Sequence, residues 1–157
     1  MTTPWLWRIS NYIDLRGEGG RIGSARWHTR GKPIVYLAET PAGAMLERIV
    51  HLMDMNQEGN LPRTYNLIKV SVLESATIKP LDPFARIDWK ESLEFTQQIG
   101  DEWLASKASP LARVPSAIIR DTENYLLNPE HPDAAYVRIA TVTRERFDRR
   151  LLRSGGR

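Results

Sequence analysis

The chain has 157 residues, 41% of them hydrophobic, which is enough for one domain with a real core and short for two. It holds no cysteine, which excludes disulfide staples, thiolate metal sites and a cysteine nucleophile together. Its 22 basic and 19 acidic residues leave a net charge of +3 on a mixed surface, with the excess near Arg16 to Lys32 and Arg144 to Arg157, so direct nucleic-acid binding is not expected. The longest apolar runs are interrupted by charge, proline or glycine, so neither a membrane-spanning helix nor a secretory segment is expected, and the cytoplasm is the default location.

Trp5 to Ser10 is aromatic and β-branched and predicts a first strand, with Arg8 its single charge. Asp14 to Ser24 is glycine-rich and reads as a loop. Its G-x-G-x-x-x-G string is not a dinucleotide fingerprint, because the polar stretch behind it runs into a strand rather than a helix. Ile34 to Ala38 is the clearest strand. Thr40 then reads as an N-cap and Pro41 as the first residue of a helix running to about Met55. The helical stripe is Ala42, Leu46, Ile49, Val50 and Met53, with Met45 and Leu52 beside it and Glu47 just outside it, next to open space at Gly43. Residues 57–63 form a turn, and Tyr65 to Leu73 alternates as a strand. Ala76 to Arg86 is loop or edge, and Trp89 to Lys107 is helical, interrupted at Gly100 and recapped by Asp101. Leu111 to Val114 and Ala117 to Ile119 make an apolar strand split by Pro115-Ser116, a break that re-aims the hydroxyl of Ser116. Asp121 to Asp133 is irregular, Tyr136 to Val142 is a closing strand, and residues 154–157 form a disordered tail.

The three histidines, His28, His51 and His131, lack zinc-site spacing, so no metal is expected. Ser116 does not sit in a G-x-S-x-G elbow. What stands out is the unit Arg26 to Glu47, which strings a cation, the aromatic Tyr36 and a carboxylate through a loop, a strand and a helix start. Such a run brings the three to one cleft, suited to a nucleotide.

The blocks G-x-x-R-W-x-x-x-G-x-P-x-x-Y-x-A-E-T-x-x-x-A-x-x-E (Gly23 to Glu47), R-V-P-S-A (Arg113 to Ala117) and N-Y-L-L-N-P-x-H-P-D (Asn124 to Asp133) resemble the RES domain, the toxin half of bacterial RES/Xre toxin–antitoxin pairs. The resemblance runs over nearly the whole chain, with residues 1–153 as the domain. It implies a single α+β domain with a mixed or antiparallel sheet and flanking helices, similar to ADP-ribosyltransferase toxins. It also implies NAD+ as substrate, cleaved at the nicotinamide–ribose bond by hydrolysis or phosphorolysis. The alternatives are mono-ADP-ribosylation of a cellular protein and, less favoured, a nucleic-acid-binding or ribonuclease toxin. The implied partner is a helix-turn-helix antitoxin. By the same resemblance Glu47 stabilises the ribosyl cation, Arg26 holds the pyrophosphate or ribose, Tyr36 stacks on nicotinamide, and Ser116 binds phosphate or positions the acceptor. Trp27, Arg8 and Asn128 join the cofactor-binding set. His28 departs from the pattern, since the family commonly has asparagine there.

Overall fold

The computed structural model describes residues 5–54 and 62–152. The predicted helix end at Met55, most of the turn at 57–63 and the tail at 154–157 lie outside them. The elements are β1 (Leu6–Ile9), α1 (Glu18–Ile22), β2 (Val35–Ala38), α2 (Pro41–Asp54), β3 (Thr64–Val72), β4 (Ile78–Pro80), α3 (Leu93–Ser106), β5 (Leu111–Pro115), β6 (Glu123–Leu127) and β7 (Val137–Arg146), with 3₁₀ turns at Ala134–Tyr136 and Arg149–Leu152.

All seven strands join one sheet in the order β4-β5-β6-β2-β1-β3-β7. Every pairing is antiparallel except β4 with β5. This is an α+β fold, as expected. Successive side chains on β2 go to opposite faces, so Val35 and Leu37 join one core cluster with Leu6, Ile68, Val70 and Leu127. Ile34 and the half-buried Tyr36 join the other, with Trp27, Trp89, Trp103 and Leu126. Burial on both faces explains why β2 reads as an unbroken apolar run.

Several expectations change. The loop at 14–24 contains α1, entered through Gly17 at φ 75, a left-handed conformation where an added Cβ would also press on the backbone at Pro33 and Ile34. Gly100 does not interrupt α3. It lets the helix approach the carbonyl of Trp27 so closely that a Cβ would overlap it. Asp101 is consequently mid-helix rather than a cap. The second half of the predicted split strand, Ala117 to Ile119, is a bend, and β5 ends at Pro115. The segment predicted as irregular contains β6, which sits between β5 and β2 inside the sheet. On α2 the most buried positions are Ala44 and Leu52, so the buried line is rotated from the predicted stripe and Met53 is 54% exposed.

Candidate active site

Thr40 caps α2 as predicted, its Oγ1 accepting the amide of Gly43 at 2.9 Å. The space beside Gly43 is not open, because Thr40 and Ala38 fill it. Glu47 lies just under two turns into the helix, about 60° around the axis from Ala44 at ideal helical geometry, roughly the rim of the buried line. From there it reaches β6. The Asn124 Nδ2 donates to Glu47 Oε1 at 2.8 Å, and the Ser116 hydroxyl donates to the same oxygen at 3.3 Å. Oε2 accepts nothing from the described residues.

Ser116 is buried because the chain turns sharply after β5. Its Oγ accepts the amides of Ile118 and Ile119 at 3.1 and 3.2 Å, and its own amide donates to the Thr122 carbonyl. The break predicted at Pro115-Ser116 therefore exists, as a strand end whose hydroxyl turns back onto Glu47.

Opposite residues of an antiparallel pair share a face. Tyr36 faces Leu126 and Ala38 faces Asn124, so Tyr36 and Asn124 are diagonal neighbours across the small Ala38. The Tyr36 hydroxyl accepts the Trp27 amide at 3.0 Å and lies 2.8 Å from His28 Nδ1, while His28 Nε2 lies 2.8 Å from the Gly23 carbonyl. A carbonyl only accepts, so Nε2 carries the proton and Nδ1 receives that of the tyrosine. Burial lowers the His28 pKa, partly offset by the backbone contacts of Gly23 and Gly20, which keeps this chain neutral. Burial likewise raises the Tyr36 phenol, offset by the Trp27 amide and, more weakly, by the positive charge of Arg26.

Arg26 donates through one Nη to the Lys90 carbonyl at 2.8 Å, and its other nitrogens have no acceptor among the described residues. The loop that carries it is fastened to α3. Thr96 Oγ1 donates to the Arg26 carbonyl at 2.6 Å, and Gln97 Nε2 to the Ala25 carbonyl at 2.9 Å. Asp101 receives the Thr29 amide and hydroxyl and pairs with Lys32 at 2.8 Å. Desolvation pushes the Asp101 carboxyl up, but these donors together hold it below its usual value.

The remaining expected ligand residues stand elsewhere. Trp27 is 3% exposed and packs on Trp89 at 6.3 Å, so its ring belongs to the core. Asn128 is buried and donates to the Leu104 carbonyl while accepting the Glu130 amide. It borders a depression with Lys32, Asp101 and Glu130 that none of Arg26, Tyr36, Glu47 and Ser116 lines. Arg8 holds the loop after β1 through the Asp14 carbonyl and Ser10 hydroxyl, its Nε buried without a partner among the described residues. Desolvation pushes its pKa down to about 10, with Asp14 opposing and Arg48 reinforcing the shift.

The RES domain family model matches residues 5–150. The chain belongs to the RES domain family. Among RES relatives, Toxin Res of Pseudomonas putida is 42% identical over 134 residues, covering 85% of this chain and 90% of the relative. The Prs ADP-ribosylating toxin of Sphingobium sp. is 34% identical over 168 residues, covering 98% and 99%. Among solved structures, a chain of the M. tuberculosis MbcT–MbcA toxin–antitoxin complex superposes with a TM-score of 0.75 at 18% identity, over 91% of this chain and 84% of that one. That likeness carries the fold. Glu47 and Ser116, two of the residues expected at the site, touch each other, and Tyr36 lies on the neighbouring strand, diagonal to the Asn124 that Glu47 meets. Asn124 is not among the residues that the sequence singles out, although it stands in the N-Y-L-L-N-P block. Its signal is available only through the register of β6, a strand whose sequence reads as irregular.

Proposed function

We propose that this chain is the toxin of a toxin–antitoxin pair and consumes NAD+ by breaking the bond between nicotinamide and ribose. The observation that carries the reading is Glu47: one oxygen held by Asn124 and Ser116, the other unengaged among the described residues, beside Tyr36 on the same sheet face. An acceptor-only oxygen fixed in this way suits a ribose hydroxyl and the positive charge that grows at C1′ as the bond stretches. The bonding pair leaves with nicotinamide, which departs neutral. Water, phosphate or a protein nucleophile then bonds to C1′ and gives up its proton.

Arg26 has guanidinium donors to offer to the pyrophosphate while one Nη anchors it to Lys90. Tyr36 supplies a ring for nicotinamide, its tilt set by the two bonds on its hydroxyl. Ser116, whose oxygen is occupied by Glu47 and two amides, serves to hold Glu47 rather than phosphate. Trp27, Arg8 and Asn128 act as framework. A helix-turn-helix antitoxin that restrains the toxin in the cytoplasm completes the reading. The RES relatives named as toxins and the solved toxin–antitoxin complex support it.

A second reading, transfer of ADP-ribose to a protein, is favoured by the 34% identity to a toxin named as ADP-ribosylating. Antitoxin-free protein incubated with NAD+, with and without phosphate, should release nicotinamide. Free ADP-ribose or its phosphate then marks small-molecule acceptors, and a protein adduct in mass spectra marks transfer. Folded protein that releases no nicotinamide and forms no adduct defeats both readings. Glu47→Gln should keep the fold and lower turnover on the order of 100- to 1,000-fold, and unchanged turnover removes Glu47 from the chemistry.

A further inference from the structure

Asn124 is the shortest contact Glu47 makes among the described residues, and we infer that it is the residue that aims the carboxylate. The inference deepens the reading above by assigning a positioning residue to the same site. Ser116 reaches Glu47 Oε1 at 3.3 Å with an oxygen already accepting two amides, whereas the Asn124 amide reaches it at 2.8 Å. Asn124 is also the better anchored. It stands on β6 between two strands, opposite Ala38 on β2 and opposite Val114 on β5. Both neighbours are small or branched apolar residues that offer its side-chain amide no competing acceptor. A rigid sheet thus presents an N–H to a helix-borne carboxylate, and because both donors converge on Oε1, Oε2 is left without a donor among the described residues.

This gives Asn124 two consequences that a merely space-filling asparagine lacks. Its amide nitrogen is required as a donor, so the isosteric Asn124→Asp, which replaces that donor by an acceptor facing a carboxylate, disrupts the contact without changing shape. Its effect on turnover also falls on kcat rather than on KM, because Asn124 orients the group that meets the transition state and need not touch the ground-state substrate.

The test is a pair of measurements on the purified chain. The first is thermal melting of Asn124→Asp, Glu47→Gln and the double variant. Asn124→Asp should lower the melting temperature, and adding Glu47→Gln should restore most of it, because the side-chain amide introduced at position 47 can then donate to the carboxylate introduced at position 124. This cycle needs no NAD+ and stands whether or not the wild type has turnover. The second is nicotinamide release: Asn124→Asp and Asn124→Ala should lose kcat by about 100-fold with KM within about threefold. An Asn124→Asp variant as stable as wild type, or no recovery in the double variant, overturns the contact. Intact kcat in Asn124→Ala overturns the positioning role. Absence of nicotinamide release in the wild type defeats the functional reading alone.

Discussion

His28 shows how one ring nitrogen fixes the state of a neighbourhood. Because Nε2–H is committed to Gly23, protonating Nδ1 would set an N–H against the O–H of Tyr36, which already accepts the Trp27 amide. The charged groups around the ring are Asp101 and Lys32, which oppose each other, and desolvation decides the direction. With its pKa lowered in the folded state, His28 is neutral in the native chain at a pH where the unfolded chain already binds a proton. Its stabilisation is full above the unfolded value of about 6.5 and declines as pH falls from there toward the folded value. Urea midpoints should therefore drop between about pH 7 and pH 5, and His28→Asn should flatten that slope. A slope unchanged in the variant assigns the loss elsewhere. The depressed carboxylates, Asp14, Asp88, Asp101 and Asp148, act lower on the scale, losing stabilisation as pH falls through the ordinary carboxyl range and below. His28 is thus a buried partner of Tyr36, a role no spacing rule reveals.

Among the elements, α3 matters most to Arg26, although it bears none of the candidate catalytic groups. Thr96, Gln97, Gly100 and Asp101 all face the loop at 25–29, three through hydrogen bonds and one by having no side chain. Gly100→Ala should cost at least about 1–3 kcal/mol, read as a lower urea midpoint, because a backbone carbonyl rather than a flexible side chain must give way. A variant of native stability would show that the loop relaxes freely. The same element explains what is legible in the sequence and what is not. Features with local causes can be read directly: the Thr40–Pro41 helix start, the doubly buried β2 and the alternating β3, and the contact of Glu47 with Ser116 agrees with the blocks that the resemblance rests on. Gly100 and Asp101 mislead because glycine inside a helix and aspartate after it look like punctuation when the partner strand or loop is out of sight. β6 escapes for a related reason. Glu123-Asn124-Tyr125-Leu126-Leu127 shows no polar and apolar alternation, since its last residues are buried on both faces, and Asn124 faces a helix rather than water.

At the scale of the molecule, the carboxylate and the donor that aims it lie 77 residues apart, and the sheet order places β6 against β2 only after β3, β4, α3 and β5 have been made. Until β6 arrives, β2 has an open edge and Glu47 has no floor beneath it. At synthesis rates of about 5–20 residues per second, the interval between the two residues lasts about 4–15 seconds. A chain stalled on the ribosome before Glu123 emerges should release no nicotinamide, and one extended past Arg146 and freed should. Nicotinamide release from the shorter chain would contradict this. For a cell that makes such a protein, the late position of β6 is a delay fuse: Glu47 stays without its Asn124 donor through most of synthesis.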